Sequence, residues 1–554
     1  MATGTATIPE RRWKAAFWAS ALASAAPALF TRHPPFADLP EHVASMATLA
    51  RLASGEQLPY VIDASQSQYL LYHSMGAAIT LVVGDAILAS QLLVAGVALV
   101  WSVAFRALLR AMGRDERLAL FAPMVFFNRP LLMGFLPFVA SVPLGLLAVA
   151  SAIRTAREGP TLRRIVWLAA VAVALFYTHA STYLLCVFIV AAWTCAWTAT
   201  RSGVPERRAA SKAIVFVNVA LLPSVACALF WWSQGSLVRD PTFDAFGGPA
   251  VSRMTISDTL VALPIWTFDM WRSHVDEACA IGWWAGFAAL LLIRRNASAQ
   301  RRDGAHWLAL VPFTCALVVY LATPFRIGAA TMLNVRLAPV LTLFAILPLS
   351  LPRRRRTSLV LAGVVATTFI SSADAAHEMR ATSAEMVGDL DALLAQAKPG
   401  SRLVSLDFDR RSPRTQYWPY LFAGSYHLAY GGAVAAYSFA ELPHWPVHYA
   451  PREAPPSKHH FWVFDPCVYR YESDGAYYDY VLVHGDEQAF ADAGGPPFIP
   501  VAQSAKLTLY EKVAGPRSSR DGPCARSVTK TSSVTSPGRT VELGPRLVAE
   551  LARP

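Results

Sequence analysis

Charge is scarce in this chain: Asp, Glu, Lys and Arg make up 16% of its 554 residues, where ordinary soluble domains carry about 25%. With 54% hydrophobic residues and a mean hydropathy of +0.36, that deficit excludes a disordered or disulfide-scaffold protein and argues against a soluble enzyme. Lysine is rarer still, with 7 against 42 arginines, a bias that, with abundant alanine, points to a GC-rich bacterial source. Cysteine is sparse and unpatterned. Cys186, Cys195, Cys227, Cys279 and Cys315 lie in or beside apolar runs, where a thiol packs as a small apolar side chain. Cys467 and Cys524 fall beyond those runs, where a disulfide is chemically allowed, but Cys524 sits in a Ser/Thr/Pro/Arg-rich tail. No zinc, haem or iron–sulfur spacing and no clear internal repeat occurs. No metal ligand or cofactor is therefore assigned, and a divalent metal stays open.

What the chain does have is long apolar runs separated by arginines. Residues 1–373 carry 31 Lys+Arg against 17 Asp+Glu, whereas residues 374–554 carry 18 against 20. The net charge of +12 thus belongs entirely to the apolar part. It is dispersed over loops, so it is no nucleic-acid footprint. Short basic loops stay cytoplasmic in inserted chains. The clusters at Arg11/Arg12/Lys14, Arg106–Arg117, Arg154–Arg164, Arg201–Lys212, Arg294–Arg302 and Arg353–Arg356 are therefore placed inside. Clusters on one side are joined by an even number of spans, which gives hairpins with outer turns near Asn128–Pro137, Thr178–Ser181 and Thr323–Arg336, and a longer external loop at 234–278. The apolar run 15–30 serves as the first span, although its length and Ala-Ser-Ala tripeptide also fit a cleaved signal peptide. The expectation is an α-helical polytopic protein of about eleven transmembrane helices in a bacterial inner (cytoplasmic) membrane, N-terminus inside. A small extracytoplasmic α/β domain over 374–514 and a disordered tail over 515–554 follow it. Strands are expected at Arg402–Phe408, Phe461–Asp465, Asp479–His484 and Leu507–Val513.

The external loop 32–86 is the most informative segment. It opens His33-Pro34-Pro35-Phe36-Ala37-Asp38-Leu39-Pro40-Glu41-His42 and continues with apolar residues at helical spacing, a surface helix over 39–54. The run 69–84 is too awkwardly placed for a full span, because it would export four arginines, and is read as an outer-leaflet helix. Asp38 and Glu41 have capping-box spacing, which accounts for both by helix initiation alone. Equally, Asp38, Glu41 and His42 gather three ionisable groups at a membrane–water boundary, where a carboxylate could take a proton from an incoming hydroxyl.

Here the sequence resembles a family. The Asp-x-Pro-x-His pattern of Asp38, Pro40 and His42 is similar to that of bacterial GT-C glycosyltransferases. So are the arrangement Tyr60…Tyr69-Leu70-Leu71-Tyr72…Gly84-Asp85, the Phe176-Tyr177-Thr178-His179 turn and the Asn334-Val335-Arg336-Leu337 segment. The resemblance covers residues 1–373. It implies transfer of a sugar from a polyprenyl-phosphate or polyprenyl-diphosphate donor to a glycan, lipid or protein acceptor outside the cytoplasm, with Asp38 as general base. The paired acidic residues of protein O-mannosyltransferases are lacking at this position, where the nearest partners are Glu41 and His42.

A lipid phosphate at the outer interface needs cations, and arginine offers a planar two-pronged fork. Arg129, Arg326 and Arg336 sit at outer turns and His179 at a tight one, so these four are the lipid-phosphate candidates. Snorkelling and turn solvation account for the same positions without any ligand. The aromatics between Tyr417 and Tyr449 are assigned to core or interface packing rather than sugar stacking. Besides the transferase, two other classes fit such a chain. One is a non-catalytic scaffold or lipid-binding component of a cell-envelope polysaccharide assembly; the other is a transporter.

Overall fold

Apolar runs bounded by Pro, Gly and Arg become helices, and the bounding residues set where each one turns. The computed structural model describes residues 10–234, 251–295 and 305–513, apart from 66, 328–329, 352–354, 437–438, 443, 456–465, 470–474, 486–489 and 491–497. The expected strand Phe461–Asp465 and the tail 515–554 lie outside the described residues. Six described helices are long and apolar enough to cross a membrane: Ala86–Ala111, Leu136–Glu158, Ala180–Ala199, Val204–Ser233, Val275–Ile293 and Arg355–Leu394. Shorter apolar helices cover Leu70–Val83, Ile256–Phe268, Leu310–Ala322 and Val335–Ile346. Leu184, Leu222, Phe230 and Trp232 stand exposed on these helices. Apolar surface on that scale calls for lipid around it.

Local chemistry explains the corners. Gly84 takes φ +74 to end the Leu70–Val83 helix, and the Asp85 carboxylate then accepts from the Ile87 and Leu88 N–H groups to start the next. Glycine also sets a close crossing: a Cβ at Gly76 would lie 2.2 Å from Met46 Sδ, so the Leu39–Ala53 and Leu70–Val83 helices pack face to face. The span expected just before Arg129 takes a different form. Glu116–Phe121 is a 3-10 turn and Ala122–Val125 a four-residue helix, followed by Arg129–Leu132. Pro123, Asn128 and Pro130 account for the breaks, the two prolines by lacking an N–H and Asn128 by turning its side chain on the backbone of Val125, Phe126 and Leu131. The expected external loop 234–278 contains the helix Ile256–Phe268, and its residues 235–250 lie outside the described residues.

The described residues also form ten strands: β1 Tyr60–Ile62, β2 Val251–Ser252, β3 Arg326–Ile327, β4 Ala330–Thr331, β5 Arg402–Asp407, β6 Val434–Ala435, β7 Val447–Tyr449, β8 Tyr480–His484, β9 Phe498–Ser504 and β10 Leu507–Lys512. The C-terminal sheet has the order β6-β5-β8-β10-β9, with β5 parallel to β6 and β8 and the other pairings antiparallel. β8 is buried at every position, as a central strand must be. Cys467 beside this sheet is disulfide-bonded, the five cysteines of the apolar part are free, and Cys524 lies outside the described residues.

The C-terminal region closes over the first loop. β1 pairs antiparallel with β7, Tyr60 opposite Tyr449. Arg32 donates to Asp85 at 2.6 Å and to Asp391 at 2.8 Å, and the Tyr430 hydroxyl also donates to Asp391. The Leu39–Ala53 helix is therefore not a surface helix with a wet polar face. Every residue from Leu39 to Ala50 is buried, because the residues of its polar face find partners downstream. Ser425 Oγ and the Phe439 N–H donate to the Glu41 carboxylate, the latter at 2.8 Å, and Trp445 Nε1–H donates to Ser45 Oγ at 2.5 Å.

Candidate functional site

Asp38 heads the Leu39–Ala53 helix, yet its side chain makes no capping hydrogen bond. Glu41 does not reach back to it either, being held by Ser425 and Phe439. The capping-box account therefore describes the spacing and not the contacts. The head of the helix is held through its backbone instead. The Ala37 and Asp38 N–H groups donate to the Leu132 and Met133 carbonyls at 3.0 and 3.3 Å. Gly134 follows directly, at φ +78, a conformation that favours glycine.

Arg336 is the charge facing Asp38. Burial raises the Asp38 carboxyl to about 7, and the Arg336 guanidinium opposes that rise. Arg336 lies over the Phe135 ring, Cζ to centroid 4.0 Å, and its enclosed Nε has no hydrogen-bond partner. Among the described residues it forms no ion pair within 4 Å. Tyr69 lies within electrostatic reach of Arg336 and Asp38 and stacks on His179, ring centroids 5.6 Å apart and 14° from parallel. His179 precedes the Ala180–Ala199 helix, and Ser181 Oγ lies 2.9 Å from its Nδ1. Burial first, then Arg336 and His444, hold it well below the ordinary histidine range, so it is neutral. The structure thus brings Asp38, Arg336 and His179 together around Tyr69.

His42 lies one helical turn beyond Asp38 and bonds on both sides. Its Nε2–H donates to the Gly134 carbonyl at 2.9 Å, while Nδ1 faces His73 Nε2 at 3.0 Å. His73 Nδ1–H in turn donates to the Tyr69 carbonyl at 2.9 Å. Carbonyls only accept, so the outer nitrogens both carry hydrogen. Three contacts then require three N–H groups, and two neutral imidazoles supply two. Burial and the neighbouring His73 keep His42 well below its ordinary range. The inner nitrogens therefore face each other one proton short, and burial, which also lowers His73 to about 3, keeps that extra proton off the pair. Trp445 covers it, 4.6 Å from the His73 ring and 5.2 Å from the His42 ring.

The other two arginines are placed differently. Arg129 is 5% exposed, donates to Asp269 Oδ2 at 2.9 Å and to the Gln416 carbonyl at 2.8 Å, and keeps only its Nε without a partner. Most of its fork is thus spent on tying the hairpin turn to the C-terminal region. Tyr417 lies within electrostatic reach of both Arg129 and Asp38, so this tie borders the site. Arg326 sits on β3, opposite Ser252 and Thr331 in the small sheet β2-β3-β4.

His73, Trp445, Tyr69 and Gly134 were not picked out as functional by the sequence. A histidine in an otherwise apolar helix was a usable signal for His73. For Gly134 and Trp445 the signal was only their residue types.

Neither a family model nor a curated protein sequence matches the chain. Among solved structures, it is similar to the crystal structure of ArnT from Cupriavidus metallidurans bound to undecaprenyl phosphate, at a TM-score of 0.56 and 12% sequence identity. The match covers 92% of this chain and 100% of that one. The chain therefore shares the fold of that structure along nearly its whole length.

Proposed function

We propose that this protein moves a sugar from a polyprenyl-phosphate or polyprenyl-diphosphate donor to an acceptor hydroxyl on the extracytoplasmic side, with Asp38 as general base. One observation carries the reading: a carboxylate not used to cap its own helix faces an arginine that has no ion-pair partner within 4 Å among the described residues. A carboxyl raised to about 7 is half ionised near neutral pH, where a general base works best. The undecaprenyl phosphate bound to the similar structure supports a polyprenyl lipid as donor.

In the proposed step the acceptor oxygen attacks the anomeric carbon as its proton passes to Asp38. The bond from that carbon to the phosphate oxygen breaks, and the electron pair leaves with the lipid phosphate. Arg336 balances the charge that develops there through charge-assisted hydrogen bonds. Glu41, fastened to Ser425 and Phe439, holds the loop and the C-terminal region together.

The test is sugar transfer from a polyprenyl-linked donor by purified Asp38→Asn protein. A fall of about 10²–10⁴-fold with no loss of melting temperature is expected. Wild-type turnover in a stable Asp38→Asn protein would remove Asp38 as the base, and no transfer by the wild-type protein would favour the scaffold class.

A further inference from the structure

The far end of the bundle holds a second polar site. The helices Ala86–Ala111, Leu136–Glu158 and Ala180–Ala199 start near Asp85, Gly134 and His179. At their other ends lies a half-open cavity of about 270 Å³ lined by Met112, Arg157, Trp193, Trp197, Arg201 and Leu308, together with Thr200. Twenty or more residues at 1.5 Å each put it about 30 Å from Asp38.

Its lining is built to receive an anion. Trp193 is 2% exposed, and its enclosed Nε1–H has no hydrogen-bond partner. The enclosed Nε–H of Arg201 has none either. A buried donor without a partner costs stability, so two such donors on one cavity need an explanation. Arg201 is held over the Trp197 ring at 4.7 Å, and Trp193 stacks on Trp197 at 5.9 Å and 12°, which fixes both donors in place. Arg157 is held by one hydrogen bond to the Ala111 carbonyl at 2.8 Å. Among the described residues neither arginine has a carboxylate within 4 Å, although Arg154 and Arg164 nearby both pair with Glu158. The volume is far above the ~10–15 Å³ that admits one water.

We propose that this cavity binds a phosphate ester anion between Arg157 and Arg201, with Trp193 Nε1–H as a third donor. Its place at the arginine-rich ends of membrane helices fits the head group of an anionic phospholipid in the leaflet opposite the Asp38 site. A soluble phosphate shares the same chemistry. The site is independent of the transferase reading, because no residue of it touches the Asp38 cluster.

The test uses the full-length protein in phosphatidylcholine nanodiscs. Melting temperature and direct binding are followed with dioctanoyl phosphatidylglycerol, inorganic phosphate and dioctanoyl phosphatidylcholine as probes. Phosphatidylglycerol is expected to bind and to raise the melting temperature, and Arg201→Gln to weaken it about tenfold, the loss of one charge-assisted hydrogen bond. Trp193→Phe, which keeps the ring and removes only the N–H, is expected to weaken it several-fold and covers the case in which Arg201→Gln fails to fold. Variant-sensitive binding of inorganic phosphate would assign the site to a soluble ligand and still support it. No binding by either anion, or equal binding by wild type and Trp193→Phe, would overturn it.

Discussion

A Cβ placed on Gly134 would lie 2.4 Å from the backbone nitrogen of Asp38 and 2.9 Å from its Cα. The obstacle is backbone, which has no rotamer to move away. Gly134 also presents the carbonyl that holds His42. Gly134→Ala is therefore expected to displace both residues at once, lowering transfer at least a hundredfold and the melting temperature by several degrees. Transfer at the wild-type rate would show that the site does not depend on this contact.

The pH dependence follows from Asp38. Its carboxyl, raised to about 7 from 3.8, stays protonated in the folded protein after the unfolded chain has ionised. The unfolded state then binds fewer protons, so this group's effect on stability is a loss as pH rises from about 4 to 7. Asp38→Asn is expected to match wild type in melting temperature at pH 4 and exceed it at pH 8. Donor transfer by wild type should rise through an apparent pKa near 7. A flat profile between pH 5.5 and 8 would remove Asp38 from the proton-transfer step.

Arg336→Lys keeps the charge but loses the planar fork and the contact over Phe135. Donor affinity is expected to fall by about 1–3 kcal/mol, close to the loss in Arg336→Ala. Donor binding equal to wild type in both variants would assign Arg336 to packing over Phe135.

Arg129→Ala should act on folding. Removing one member of a buried ion pair leaves the other uncompensated, a cost of about 3–5 kcal/mol, and Asp269→Asn should share it. Donor affinity measured in whatever folded protein remains is expected to be within twofold of wild type. A stable Arg129→Ala protein that has lost its donor would return Arg129 to the phosphate.

His73 tests the histidine pair. In His73→Phe the ring volume stays, but His42 Nδ1 loses its neighbour and the Tyr69 carbonyl its donor. The expected result is a fall in turnover of tenfold or more with donor affinity unchanged, because the head of the site is no longer held in place. If only the melting temperature changes, the pair is structural.

The sequence revealed what is local in the chain. Asp38, His42, His179 and Arg336 stood out because each interrupts or begins an apolar run. The turn before Ala180 was marked in the same way by basic clusters on either side. Pairing across distance stayed hidden. Nothing near Glu41 shows that its carboxylate is taken up by Ser425, 384 residues later, or that the Asp269 partner of Arg129 lies 140 residues on. The same ignorance made Leu39–Ala53 look like a surface helix, since a polar face covered by protein and one covered by water have the same periodicity. The broken stretch before Arg129 looked like a span because hydropathy counts Pro123 and Pro130 only weakly, whereas the backbone hydrogen-bond ladder depends on them.

The contact between Ser45 and Trp445 spans 400 residues, and that separation is also an interval of time. At about 5–20 residues per second, roughly 20–80 s pass between synthesis of the first loop and arrival of the residues that cover it. Throughout that interval Glu41, Ser45 and the histidine pair face solvent or the insertion machinery, and the cover over the Asp38 cluster is missing. Any activity that needs that cover switches on only when residues 425–449 dock, which makes this stretch a checkpoint of biogenesis as well as the cover of the site.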